Sequence, residues 1–341
     1  MGVASVAAAG TTRIPERAQD AGLRSESAAG RTLRIGFGAL WLLDGALQAQ
    51  PGMFTMDMVS NIMQPAATGE PAWLSALIGW SVRIVTPHLV AFNLLVVALQ
   101  LAIGVLLLCG GRPRLVRAGA ALALAWGMAV WLVGEGLGQL LTGSATGLSG
   151  APGSALLYAF AAYVLLTGGA EARVAGRSLA TWAAAGVLAL TAALQLNPLF
   201  FTSLGMASVF GQGAMMAQPH VLRAPIAWAA DVAGASPTLV NAAVVALFAL
   251  AALITLRGAQ GRLGRAALAA VVLLLLAEWW LGQDLGMPFS GMETDPNTAA
   301  PLALLLVAGY LADRGTRAPA ALAPPHAGAR ARTAVSARSG A

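Results

Sequence analysis

The segment ALQAQPGMFT at residues 46–55 returns as ALQLNPLFFT at residues 193–202. Each copy follows an apolar run, and each keeps its Gln, Pro, Phe and Thr in the same register. Chance similarity between two Ala- and Leu-rich halves can reproduce apolar residues, but not an ordered set of polar and proline positions. The pattern therefore predicts a chain built by duplication.

Further matched positions follow in the same order in both halves. They are Gln64-Pro65 with Gln218-Pro219, Pro71 and Trp73 with Pro225 and Trp228, and Pro87-x-Leu89-Val90 with Pro237-x-Leu239-Val240. A closing set reads Glu135, Gly138-Gln139, Gly143, Thr146 and Pro152 in one half, and Glu278, Gly282-Gln283, Gly291, Thr294 and Pro301 in the other. We expect two four-helix units at residues 33–168 and 178–312, between polar disordered tails at residues 1–32 and 313–341.

The composition is that of a polytopic all-α membrane protein. Of 341 residues, 58% are hydrophobic and only 10% are charged, and the mean hydropathy is +0.73. A membrane helix needs about 17–25 residues. The apolar runs predict eight spans, at residues 33–50, 88–110, 116–141, 151–168, 178–197, 237–256, 263–286 and 299–312. Because four spans is an even number, both units would enter the membrane in the same direction, as in parallel transporter repeats.

The placement of arginine predicts the orientation in the plasma membrane. All 20 basic residues are Arg, and only Arg83 and Arg223 lie on the side opposite to the tails. Both termini are therefore expected in the cytoplasm. This distribution argues against nucleic-acid binding and makes the lipid bilayer the first partner. The single cysteine, Cys109, excludes disulfides and Cys-based zinc or iron–sulfur sites within one chain.

A family resemblance rests on the first three predicted spans. They read Arg34-x-x-x-Gly38-x-x-Trp41-x-x-x-Gly45-x-x-Gln48, then GVLLLCGGRPR at residues 104–114, then an Ala-rich run. This resembles the DoxX/DoxD-like membrane family of four-helix proteins, although the chain has Gln100 where that family more often has Glu. The resemblance implies a membrane subunit of a thiosulfate:quinone oxidoreductase, or a partner of thiol and oxidant-defence proteins, and so a link to quinone.

Four polar residues on the predicted spans are candidate site residues: Asp44, Gln48, Glu135 and Glu278. Asp44 lies about 15 Å along its helix from Arg34, near the middle of the bilayer, where a charge is costly. It shares a helix face with Gln48. The functional interpretation is proton or cation handling, with Glu135 and Glu278 paired between the halves. The structural interpretation is that Asp44 and Gln48 hold helices together and that each Glu is hydrated or bound to its own Gln.

Methionines supply the candidate metal ligands. Met53, Met56 and Met58 lie together in an outer segment, with His88 on the same side. Thioether and imidazole groups suit Cu(I), but methionine also fills irregular gaps in packing.

Three functions follow from these observations. The first is a membrane subunit of a redox or oxidant-handling, quinone-linked system with an outward-facing polar site. The second is binding or transport of copper at the outer face. The third is a non-catalytic scaffold for an extracytoplasmic partner, which would dock on residues 51–87 and 198–236. The sequence leaves open whether the protein is an enzyme and whether it forms a homo-oligomer.

Overall fold

The computed structural model describes residues 26–169, 172–216, 218–258 and 261–315. This part of the chain is helical apart from turns and one short hairpin, which confirms the all-α prediction. The main helices are α1 (Ala28–Gln48), α2 (Ala72–Val85), α3 (Leu89–Leu108), α4 (Pro113–Ala129), α5 (Ser154–Leu166), α6 (Leu179–Leu194), α7 (Ser203–Met215), α8 (His220–Ala235), α9 (Pro237–Arg257), α10 (Gly261–Leu281) and α11 (Ala299–Gly315).

Shorter elements join these helices. The 3₁₀ turns are Pro51–Phe54, Pro65–Ala67, Thr86–His88, Leu137–Gln139, Gly147–Ser149, Pro198–Phe201 and Asp284–Gly286, and π-helical turns occupy Val59–Met63 and Val130–Gly134. A single α-turn covers Met56–Met58. The strands Arg173–Val174 and Arg177–Ser178 pair antiparallel in the middle of the chain.

Four helical stretches of the described residues are long and apolar enough to cross a membrane. They are Ala72–Leu108, which joins α2 and α3, then Pro113–Gly134, Pro237–Arg257 and Gly261–Leu281. The apolar helices α5 and α6 are shorter. In α2 the side chains of Trp73 and Trp80 are exposed.

The first helix begins earlier than the sequence pattern predicts. Its N-cap is Ser27, whose hydroxyl accepts a hydrogen bond from the Gly30 backbone N–H at 3.1 Å. Helix α1 therefore starts at Ala28, inside the segment assigned to the polar tail, while residues 1–25 lie outside the described part. At the other end α11 continues to Gly315, and residues 316–341 are not described.

Small residues bring α1 and α3 into close contact. A Cβ atom added at Gly104 would lie 2.9 Å from the Gly38 carbonyl oxygen, so the two backbones nearly touch. Helix α1 also packs on α11, and α6 packs on α9 and α11. One continuous buried core includes Leu33 of α1 and Leu275 of α10. The two halves of the chain therefore share a single interior.

The repeated ALQ segment produces the same local structure twice. In each case a helix ends, a 3₁₀ turn begins at the proline, and a threonine closes it. The Thr55 hydroxyl donates to the Gly52 carbonyl at 2.8 Å, and the Thr202 hydroxyl donates to the Leu199 carbonyl at 2.7 Å. An asparagine on a neighbouring helix then bonds the last turn, from Asn93 to the Gln48 carbonyl at 3.1 Å and from Asn241 to the Gln195 carbonyl at 2.8 Å.

A second backbone feature also occurs twice, 148 positions apart. Residues 136–139 all have positive φ, and so do residues 284–287. Four consecutive positive φ values are unusual, because only glycine adopts this region without strain. Each run follows a long helix and turns the chain toward the next one.

The hairpin between the halves is held to α11 by ionic contacts. Arg173 and Arg177 lie 3.5 and 3.3 Å from the Asp313 carboxylate. The same carboxylate accepts a hydrogen bond from the Ser178 backbone N–H at 2.9 Å. The basic junction that the sequence places between the units is therefore docked on the last helix.

Candidate functional site

A cavity of about 390 Å³ lies among the helices of the first half. Its walls come from α1, α2, α3, α4 and α5, and from the loop that precedes α11. Five aromatic side chains form much of the wall: Trp41, Trp80, Phe92, Trp126 and Tyr158. The volume falls in the range of about 300–1,000 Å³ that is usual for small-molecule sites.

Asp44 faces this cavity from α1 and is almost completely buried, with 2% of its surface exposed. Its Oδ1 atom accepts a hydrogen bond from the Tyr158 hydroxyl at 3.2 Å. The Tyr158 ring is held edge-to-face by Phe37 and Trp41, with centroid distances of 5.3 and 4.9 Å. The aromatic packing fixes the phenol, and the phenol fixes the carboxyl group.

Gln48 also lines the cavity, one helical turn beyond Asp44. Its amide nitrogen donates to Asn93 Oδ1 at 2.6 Å, and Asn93 donates back to the Gln48 carbonyl. The pair joins α1 to α3, which is the structural interpretation considered for Gln48. Its position in the cavity wall means that the amide is also within reach of a ligand.

Glu135 enters the cavity from the end of α4. The helix widens into the π-helical turn Val130–Gly134 and stops, because the positive φ values that follow turn the chain away. The Oε1 atom of Glu135 accepts hydrogen bonds from the Ser154 hydroxyl at 2.8 Å and the Ala155 backbone N–H at 3.0 Å. Glu135 therefore caps the N-terminus of α5, a position that favours negative charge.

Three buried polar atoms of residues that line the cavity have no hydrogen-bond partner within the described part of the chain. They are the Gln100 Oε1, Trp126 Nε1 and Glu135 Oε2 atoms. Buried polar atoms in native proteins are nearly always bonded to protein or to water. Two acceptors and one donor without partners on one cavity wall therefore point to a bound ligand or to ordered water.

Glu278 is placed differently from the prediction that pairs it with Glu135. It is buried on α10, but it does not line the cavity. Its Oε1 atom accepts a long hydrogen bond of 3.4 Å from Gln283. Gln283 itself takes the role that Glu135 has in the first half, because its Oε1 atom accepts the Ala299 backbone N–H at 2.9 Å, at the start of α11. Glu135 and Gln283 are also 148 positions apart.

The fold places only some of the candidate metal ligands in the cavity. Met53 and Met58 line the cavity, together with Met63, which the sequence pattern did not single out. Met56 is 54% exposed and His88 is exposed, and neither lines the cavity. Among the described residues no group of three or more His, Cys, Asp or Glu side chains could hold a metal ion. A metal in this cavity would have to use the thioethers.

The second half contributes two residues to the cavity, Thr294 and Asp295. Asp295 also has a role in the local turn, because its Oδ1 atom accepts a hydrogen bond from the Asn297 backbone N–H at 2.8 Å. Aligning the two halves of the chain with an offset of 148 residues shows that Asp295 has no acidic counterpart in the first half. This alignment matches Gly143 with Gly291 and Thr146 with Thr294, and it places Asp295 against Gly147. An acid thus stands where the other half has a glycine.

The loop around Asp295 carries a further acid with a shifted pKa. Burial, reinforced by the neighbouring Asp295, raises the pKa of Glu293 to about 9. Glu293 therefore carries a proton at neutral pH.

Comparison of the chain with protein-family models, with curated proteins and with solved structures gives no match. The interpretation of the site rests on its own geometry.

Proposed function

We propose that the chain is an integral plasma-membrane protein of two like-oriented four-helix units, with eight spans and both termini in the cytoplasm. The four long apolar helices and the distribution of arginine support the membrane assignment. The two positive-φ turns 148 positions apart and the two Pro–Thr turns support the duplication. A reporter fused at the hairpin of residues 173–178 is expected on the cytoplasmic side.

We propose that this protein is the membrane subunit of a redox or oxidant-handling system and that the cavity binds the headgroup of a quinone. The observation that carries the proposal is the cavity itself, which is lined by a buried, hydrogen-bonded Asp44–Tyr158 pair, by residues with unpartnered polar atoms and by four further aromatic side chains. A quinone accepts two electrons and two protons when it is reduced. The electrons would come from a partner protein, in line with the DoxX-like resemblance.

The residues of the cavity suit an aromatic headgroup with two carbonyl oxygens. The free Trp126 N–H can donate a hydrogen bond to one oxygen. The Tyr158 hydroxyl and the Asp44 carboxyl group, already bonded to each other, can pass a proton to a ligand beside them. Glu135 also lines the cavity, and its Oε2 atom has no hydrogen-bond partner among the described residues. The aromatic side chains provide stacking surfaces.

The proposal can be tested by binding of a short-chain quinone to the purified protein, followed by quenching of tryptophan fluorescence. Asp44→Asn and Glu135→Gln are expected to weaken binding by roughly tenfold each, since each alters a polar group of the cavity. Glu278→Gln is the matched control and should leave binding unchanged, because Glu278 does not line the cavity. Quinone binding that is absent, or equal in all four proteins, would reject the proposal.

Copper binding is the second candidate, because three thioethers, Met53, Met58 and Met63, face the same cavity. The experiment compares Cu(I) bound by the wild type with that bound by Met53→Leu and Met58→Leu. The exposed Met56→Leu is the control. Loss of copper in the first two variants alone would support a site in the cavity. Copper-free wild-type protein after loading would exclude it.

A further inference from the structure

The cavity has an uneven distribution of charge. Three carboxyl groups line it, from Asp44, Glu135 and Asp295, and none of the described arginine or histidine residues does so. The acids come from three separate parts of the chain: α1, the end of α4 and the loop before α11. A cavity with acids and no fixed cation favours a ligand that carries positive charge.

The aromatic wall points to the same class of ligand. Indole and phenol rings attract cations placed over their faces, and tryptophan does so most strongly. Trp41, Trp126 and Tyr158 line the cavity together with Asp44 and Glu135. A group such as a substituted ammonium would meet ring faces and carboxyl groups at once, without the strong hydration that a metal ion must lose.

A buried amide gives an independent indication of a ligand. Gln100 is 7% exposed, and its Oε1 atom lies in the cavity wall without a hydrogen-bond partner. A buried carbonyl oxygen left unbonded costs free energy, and a cationic group beside it would remove that cost. Gln100 thus adds a polar group without a hydrogen-bond partner to the acids that line the cavity.

The cavity is also reached past exposed apolar side chains. Trp80 and Ile84 of α2 line it and are 55% and 48% exposed. Both belong to the continuous apolar stretch Ala72–Leu108. A ligand with an apolar part can therefore enter between these side chains, whereas a bare inorganic ion gains nothing from them.

We propose that the cavity of the first half binds amphipathic organic cations, such as aryl or alkyl quaternary ammonium compounds. This ligand class differs from the neutral quinone of the proposed function and depends on the charge of the cavity, not on redox chemistry. The positions that match Asp44, Glu135 and Asp295 in the other half of the chain are Thr191, Gln283 and Gly147, which carry no charge. The three acids of the proposed cation site therefore have no charged counterpart at these matched positions.

The experiment uses the full-length protein in detergent or nanodiscs, and it compares two probes of nearly equal shape. Phenyltrimethylammonium carries a positive charge, and tert-butylbenzene is its uncharged carbon counterpart. Binding is followed by tryptophan fluorescence, since Trp41, Trp80 and Trp126 line the cavity. We expect the cation to bind at least tenfold more tightly than the neutral compound. Equal affinities would overturn the proposal.

Acid variants locate the site. Glu135→Gln and Asp295→Asn should each weaken cation binding several-fold, and the double variant should remove the preference over tert-butylbenzene. Asp57→Asn and Asp231→Asn are matched controls, because both acids are exposed and do not line the cavity. Equal loss in the controls would show that only general surface charge matters and would reject the site. Thermal unfolding confirms that each variant is folded, and Glu135→Gln keeps an oxygen that can cap α5.

Quinone binding measured in the same preparations separates this inference from the proposed function. A protein that binds the quinone but shows no preference for the cation retains the proposed function and loses this inference. The opposite result rejects the quinone and supports a cation-binding protein.

Discussion

The first and second halves of the chain have two kinds of backbone turn in common but differ in chemistry at matched positions. Asp44 and Gln100 of the first half are matched by Thr191 and Phe248 in the second. Phe248 is buried in the shared core at 2% exposure, whereas Gln100 faces the cavity with an unpartnered oxygen. Both halves have these backbone turns and helix caps, but only the first half has an acid at the positions of Asp44 and Glu135.

The cap residues make this point most directly. Glu135 accepts the N–H of Ala155, and Gln283 accepts the N–H of Ala299, so either side chain can cap the following helix. A glutamine is sufficient for the structure. The carboxyl group of Glu135, whose second oxygen has no hydrogen-bond partner among the described residues, is more than the fold requires. This excess favours a functional role for the acid.

The largest predicted effect concerns the shared backbone frame. Gly138 has a φ of +66°, and an added Cβ would overlap the Pro152 carbonyl. Gly138→Ala should therefore destabilise the protein by about 3–4 kcal/mol. Gly143→Ala is the control, because Gly143 also has positive φ (+78°) but has no atom within 4 Å of an added Cβ. It should cost only about 1 kcal/mol. Denaturant unfolding in detergent measures both, and equal losses would contradict the packing argument.

The next prediction exchanges the residues at one matched position of the two halves, Gln100 and Phe248. Gln100→Phe should fill part of the cavity and lower the affinity for any cavity ligand by about 100-fold, because a ring takes the place of an amide that faces the ligand. Phe248→Gln is the reciprocal change. It should leave ligand affinity unchanged and cost about 2–4 kcal/mol of stability, since it puts an unbonded amide in the core. Ligand titration and unfolding of both variants give the two readings. If Gln100→Phe and Phe248→Gln lower ligand affinity equally, the ligand site is not confined to the cavity that Gln100 lines.

A smaller effect is expected when the cap of α5 is removed. Glu135→Ala deletes the acceptor for Ser154 and Ala155 and should cost about 1 kcal/mol. Glu135→Gln should lose much less, because the amide oxygen keeps the cap as Gln283 does in the second half. Unfolding measurements on the two variants are compared at one pH. Equal stability loss would show that the charge, and not the acceptor, holds the helix.

The smallest effect concerns the loop that the second half places over the cavity. Folded Glu293 keeps its proton up to a pH of about 9, given its raised pKa, whereas an unfolded glutamate ionises above about pH 4.3. The folded state therefore binds more protons across this range, and stability should fall as the pH rises from about 5 to 9. Glu293→Gln should flatten that decline by a few degrees in Tm. A decline that is unchanged in the variant would assign it to other groups.

The comparison also shows how much of the site could be predicted. Asp44, Gln48 and Glu135 were selected from the sequence because polar residues on apolar helices are costly, and the structure brings all three to one cavity. Glu278 met the same criterion and lies outside the cavity lining. The sequence comparison pairs Glu278 with Glu135 because Glu278 is the nearest acid in the second half. In the backbone, the residue before the positive-φ turn is Glu135 in the first half and Gln283 in the second, and Gln283 caps the next helix.

The sequence gives no comparable indication that three other residues line the cavity: Gln100, Trp126 and Tyr158. An aromatic or amide side chain on a membrane helix is ordinary, and only packing reveals that its polar atom faces a cavity. The turn at residues 295–297 is a sufficient reason for an aspartate at position 295, so the sequence gives no sign that Asp295 also lines the cavity. Its second role, as a residue that lines the cavity, depends on long-range packing, because the other lining residues lie far earlier in the chain, between Trp41 and Tyr158, apart from Thr294.

The sequence by itself determined the all-α class, the four long apolar helices and the repeated turns, because these depend on local composition and on residues close together in the chain. The tertiary structure alone decided that the acids of one half meet in a cavity, and that a loop of the other half adds Asp295 to it. The physical reason is that long-range packing places side chains by shape and contact. Such contacts leave no periodic trace in the sequence.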